Sequence, residues 1–161
     1  VQWFCNEVWP SVLSRYPNAF FYIVGTSPSP EVLALHNHNN IVVTGRVHDV
    51  RPYIDASTVV VAPLRIARGV QNKVLEALSM EKVVVGTSMA FEGIAYKDKD
   101  LDIDIADDKD SFINSVIRQV KQALDSGDKN TKPKNRTFVT EYYNWDAKLN
   151  RLTSLLKRTV A

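Results

Sequence analysis

Residues 58–87 read TVVVAPLRIARGVQNKVLEALSMEKVVVGT, and the rest of the chain is arranged around them. Thr58–Leu64 is rich in β-branched residues and stops at Pro63-Leu64, as a buried strand does. Arg65–Gln71 holds two arginines and one glycine and reads as a loop. A helix is predicted from about Gln71 to Met80, followed by a second apolar strand, Lys82–Thr87. Continuous valine runs imply strands covered on both faces, the habit of parallel sheets. A strand–helix–strand unit of this kind turns the helix N-terminus toward the carboxyl edge of the sheet. Unpaired N–H groups and the positive end of the helix dipole gather there and favour an anion, most often a phosphate. Gly69 permits close approach of the backbone to a ligand. Arg65, Arg68 and Lys73 add positive charge, and Glu76 lies one turn beyond Lys73, close to the same helix face. A carboxylate set just behind a phosphate site can bridge the two hydroxyls of a ribose. The stretch therefore reads as a nucleotide-diphosphate pocket.

Size and composition frame this reading. The chain has 161 residues, enough for one domain with a substantial core. Its net charge of +2 gives no electrostatic case for nucleic acid or an anionic membrane as the main partner. One cysteine, Cys5, excludes an intrachain disulfide and a cysteine-based zinc cluster, and reads as a half-buried thiol in a helix. A reducing, cytoplasmic setting is expected. No run approaches the length of a membrane span, and no signal peptide is visible.

Working outward, residues 1–15 form an amphipathic helix with Trp3, Phe4, Val8, Val12 and Leu13 at helical spacing, interrupted by Pro10, which marks a kink or a new first turn. Ala19–Gly25 is a strand ended by Gly25. Pro30 fits the first position of a short helix, about Glu31–His36, with Ser29 as its N-cap. His36–Asn40 reads as a polar turn rather than a metal tract, because histidines two apart on a helix end do not face one site. Ile41–Gly45 is the next strand, and Asp49 is placed to cap the helix that runs through Tyr53 and Ile54. Leu101–Ala106 alternates apolar and acidic residues, as an edge strand with one wet face does, with Asp102 and Asp104 on that face. Asp107–Asp110 opens a helix whose apolar positions run from Phe112 to Leu124. Residues 126–136 are a basic surface linker, Arg136–Tyr143 a short helix, and Asp146 the cap of a last helix with a leucine stripe.

The motif ARGVQNKVLEAL, residues 67–78, resembles the donor-binding domain of retaining glycosyltransferases of family 4, which have the GT-B fold. That family shows an acidic residue, a glycine-containing loop, and a second glutamate eight positions after the first. Glu76 matches the second glutamate. The position eight before it is Arg68, so the donor-sugar contact made by the family's first acidic residue does not carry over as a carboxylate. The variant is similar to a subgroup linked to exopolysaccharide and cell-envelope sugar transfer.

The resemblance implies a Rossmann-like α/β fold, a mostly parallel sheet with helices on both faces. It implies a donor, UDP- or GDP-linked, with no cofactor and no obligatory metal. The diphosphate would rest on Gly69, Val70, Gln71 and Asn72, with Arg68 and Lys73 as catalytic residues neutralising the leaving group and Glu76 holding the ribose. Gly25 would lie beside the nucleotide, and the backbone at Arg46 and Val47 would meet the base. A glycan or lipid-linked acceptor would be held by a separate N-terminal domain. The chain is thus expected to be the donor half of a two-domain enzyme, lacking its first strand, and to transfer nothing alone. In the full-length protein the cytoplasmic location would extend to the surface of the inner membrane. The family strand order puts the absent strand between residues 19–25 and 58–64. Another segment, from a second copy in a homo-oligomer or a rearranged neighbour, is expected in that slot. A non-catalytic nucleotide-sugar module and a nucleotide-sugar epimerase of the same fold share these residues and remain open. A receiver-type domain is disfavoured, because its strand ends would carry an acceptor aspartate where Gly25, Gly45 and Leu64 stand.

Overall fold

The structure is a computed structural model and describes residues 1–126, 134–144 and 149. Five strands alternate with helices: Phe21–Val24 (β1), Ile41–Gly45 (β2), Val60–Ala62 (β3), Val84–Gly86 (β4) and Ile103–Ile105 (β5). The helices are Trp9–Arg15 (α1), Pro30–Leu33 (α2), Arg51–Ala56 (α3), Asn72–Ser79 (α4), Ser88–Phe91 (α5), Lys109–Ser126 (α6) and Lys134–Tyr143 (α7). Every strand pair is parallel, which confirms the α/β class read from the valine runs. Among the described residues the strands fall into two hydrogen-bonded sheets, β1-β2 and β3-β4-β5.

Helices cover both faces of the larger sheet. On one, Phe4, Val8, Trp9 and Val12 of the first helical segment meet Phe112 and Val116 of α6 over Val85, with Phe21, Ile23, Val59 and Val61 packed against them. This core spans both sheets. On the other face, Val74, Ala77 and Leu78 of α4 and Phe138 of α7 pack with Ala62, Val84 and Phe91. β4 is central and buried throughout, the environment its Val-Val-Gly sequence suits.

Local departures from the expected elements have local causes. A π-helical turn, Phe4–Val8, precedes α1, and the Trp9 N–H reaches back to the Phe4 carbonyl. Pro10 lacks an N–H, and its ring would crowd the carbonyl four residues earlier in an α-helix; widening the turn relieves this. β3 is shorter than residues 58–64, because Pro63 cannot continue a ladder and the Leu64 N–H turns back onto the Ala62 carbonyl at 2.9 Å. Residues 36–40 are a turn in which Asn37, Asn39 and Asn40 take positive φ. Trp9 donates to the Asn39 carbonyl, Asn40 donates to the carbonyls of Pro17 and Ala19, and His36 Nδ1 accepts from Val43 N–H at 3.1 Å.

β5 is the sheet edge, as its alternation implied. Its aspartates do not share one wet face: Asp102 pairs with Lys134 of α7 at 2.8 Å, while Asp104 pairs with Arg118 of α6 at 2.5 Å. Asp102 precedes β5, which begins at Ile103, so strict alternation does not reach it, and the helices that hold the two aspartates lie in different cores. The predicted last helix and its cap, Asp146, lie outside the described residues, apart from Leu149.

Candidate functional site

The loop from Leu64 to Gln71 leaves the carboxyl end of β3 and enters α4. Its first bend is fixed from the next strand, where the buried Thr87 hydroxyl donates to the Leu64 carbonyl at 2.5 Å. Arg65 then turns toward the first helical segment, its guanidinium 5.3 Å from the Trp3 ring centre. Ile66 follows, 88% exposed. Gly69 has φ +67°, a left-handed conformation that costs other residues sterically.

Gln71 is the N-cap of α4, in extended conformation, and makes no side-chain cap bond to the helix. Its amide nitrogen instead donates to the carbonyls of Arg68 and Gly69, each at 3.2 Å, closing the loop on itself. The first two N–H groups of α4, those of Asn72 and Lys73, therefore have neither an earlier helical carbonyl nor a side-chain cap, whereas Val74 N–H bonds to the Gln71 carbonyl at 2.9 Å. Arg68, Gly69, Val70, Asn72, Lys73 and Glu76 are exposed around this helix start. An uncapped helix end with two cations beside it is suited to an anion.

The structure thus brings Arg68, Gly69, Val70, Gln71 and Asn72 together, with Lys73 and Glu76 one turn apart on α4. Gly25, Arg46 and Val47 form a separate group in the other sheet. They follow the ends of β1 and β2, where Gly25 N–H meets the Gly45 carbonyl at 3.4 Å. Arg46 is exposed and Val47 half-buried.

Three residues to which the sequence reading gave no part in the site shape the Gly69 loop. Thr87 fixes its start. Gly93 lies against its tip: a Cβ built on Gly93 would fall 2.4 Å from Gly69 C and 2.5 Å from Val70 N. Tyr143 of α7 accepts the Ala95 N–H at 2.9 Å and donates to the Gly93 carbonyl at 3.4 Å. The sequence reads Ser88–Ala95 as a loop, which the family resemblance puts on the nucleotide side of the cleft, with Glu92 and Gly93 as turn residues; its contact with Gly69 carries no signal of its own. A cleft of about 650 Å³ opens beyond Gly93, lined by Ser88, Glu92, Tyr96 and Lys97 among others; Arg68 to Glu76 do not line it.

Parallel strands, helices on both faces and a glycine-hinged loop entering a helix define a Rossmann-like α/β domain. The family described as glycosyl transferases group 1 matches residues 1–122, which include both sheets, the Gly69 loop and most of α6. The chain belongs to that family, and its chemistry is glycosyl transfer. No curated protein matches the chain significantly. Among the described residues, no helix is long and apolar enough to cross a membrane.

Proposed function

We propose that the chain is the donor-binding domain of a retaining, family 4-type transferase with the GT-B arrangement, acting in exopolysaccharide or cell-envelope synthesis. It receives a UDP- or GDP-linked sugar, and the sugar passes to a glycan or lipid-linked acceptor held by a separate domain. The diphosphate lies against the N–H groups of Gly69 to Asn72. Arg68 and Lys73 offset the charge that builds on the leaving phosphate, a role that needs preorganised donors and no protein nucleophile. Glu76 holds the ribose, and the backbone at Gly25, Arg46 and Val47 meets the nucleoside. One observation carries this reading: the left-handed Gly69 opens onto an α4 N-terminus without a side-chain cap, between Arg68 and Lys73.

Calorimetric titration with UDP, GDP and ADP tests it. One nucleotide is expected to bind, and Glu76→Ala is expected to weaken it roughly tenfold or more, the loss of a hydrogen-bonded carboxylate. Arg68→Ala and Lys73→Ala are each expected to weaken it too, with a steeper loss at low salt. Unchanged affinity in both arginine and lysine variants removes the charge-neutralising role.

A further inference from the structure

We propose that Gly93 is a positioning residue for the Gly69 loop: its bare backbone is the surface on which the Gly69–Val70 peptide rests. The inference rests on the diphosphate reading of that loop and adds a residue that does not touch the ligand.

The geometry is specific. Any side chain at position 93 would place its first carbon 2.4 Å from Gly69 C, 2.5 Å from Val70 N and 2.7 Å from Gly69 O. These are backbone atoms, so no rotamer change relieves the clash; the peptide itself must move. Gly93 has no positive φ, so the requirement for glycine here comes from contact and not from backbone conformation. The peptide that would move carries the Val70 N–H and lies two residues from the N-cap of α4. A shift of it also breaks the bonds from Gln71 to the Arg68 and Gly69 carbonyls.

Gly93 is held in turn. The Tyr143 hydroxyl bridges Ala95 N–H and the Gly93 carbonyl, and Tyr143 packs against Phe138, which is buried with Val74, Ala77 and Leu78 of α4. α7 therefore fixes both the helix that bears the anion site and the loop that sets its tip.

The test uses the whole chain carrying Gly93→Ala or Tyr143→Phe, with two readouts. Amide ¹H–¹⁵N spectra without ligand report loop position. Gly93→Ala is expected to displace the Gly69, Val70 and Gln71 resonances strongly and Tyr143→Phe weakly in the same set. Tyr143→Phe keeps the packing volume and carries the test if Gly93→Ala fails to fold. Titration with the nucleoside diphosphate that binds, and with its monophosphate, then reports consequence. Gly93→Ala should lose roughly tenfold of the preference for the diphosphate, a charge-assisted hydrogen bond's worth, and keep monophosphate affinity. Unmoved loop resonances in Gly93→Ala, or in Tyr143→Phe where Gly93→Ala does not fold, overturn the positioning role. So does an unchanged diphosphate preference. Failure of the wild-type chain to bind UDP, GDP or ADP overturns the donor reading instead, and the ligand-free spectra then decide the Gly93 claim by themselves.

Discussion

Asp49 shows what a single side chain does at a strand-to-helix turn. Its carboxylate accepts the Arg51 N–H at 2.9 Å and the Arg51 guanidinium at 2.7–3.0 Å; the N-cap of α3 is Val50 rather than the expected Asp49, which satisfies the first helical N–H from one residue further out. Those hydrogen bonds, chiefly from the guanidinium, lower its pKa from the ordinary carboxylate value to about 2. The group is depressed in the folded chain relative to an unfolded value of about 3.9. Its contribution to stability is therefore complete above about pH 4 and is lost as pH falls toward 2. A carboxyl-carbon NMR titration should give Asp49 a midpoint near 2, and Arg51→Ala should raise it most of the way to the ordinary range. A wild-type midpoint in that ordinary range would show that the pair does not form. Asp49 was legible because its partner is two residues away. Gly69 was legible for a similar reason, a glycine between a strand and a helix. Gly93, Thr87 and Tyr143 were not, because their meaning lies in what distant backbone they touch.

At the scale of elements, helix existence followed from apolar spacing, and α4, α6 and α7 form within a few residues of their expected bounds. Where a helix docks did not follow. α7 has only a weakly amphipathic sequence, yet it is pinned through Asn135, which is fully buried. Asn135 Oδ1 accepts the Asp102 N–H at 2.9 Å, and its Nδ2 donates to the Lys82 carbonyl at 3.2 Å. One side chain thus satisfies backbone groups at the entrances of β4 and β5. Arg136 adds a bond from Nε to the Ser79 carbonyl at 2.8 Å, closing the C-terminal end of α4. Replacing Asn135 by alanine leaves two part-buried backbone groups without their partner, at up to roughly 1–3 kcal/mol each. Urea unfolding should show the midpoint falling with little change in slope. A loss below about 0.5 kcal/mol, the range of ordinary surface substitutions, would mean that α7 does not seal that edge. The loop that contains Asn135 reads in the sequence only as polar and basic, which is why the tie was invisible there.

At the scale of the whole molecule, the division into two sheets is the feature with the largest consequence. Among the described residues β1 pairs only with β2, and β3 only with β4, yet the first helical segment packs over both. The family strand order expects a further strand between residues 19–25 and 58–64, and in the structure β1 and β3 belong to different sheets. Backbone direction shows which groups this division leaves outward. Phe21 N–H bonds to Asn40 and Val60 N–H to Val83, so the alternate residues, Tyr22 and Val61, turn their N–H and carbonyl groups away from the ladders. Tyr22 is 51% exposed, with the Phe20 and Tyr53 rings tilted toward it at 6.5 and 6.1 Å, so β1 carries exposed aromatic surface beside an edge that is unpaired among the described residues. Such an edge is a template for another strand. At rising concentration the chain is expected to associate through it, with a second copy supplying the strand. Hydrogen exchange measured across a dilution series reads this directly. The Tyr22 and Val61 amides should gain protection with concentration, while the Val85 amide, central in its sheet, stays protected throughout. Tyr22→Pro should block the gain, because proline there removes an outward N–H and no bond to β2. Protection at Tyr22 and Val61 that matches Val85 at every dilution would mean that the edges are already closed within one chain, and the homo-oligomeric strand would have no place to go.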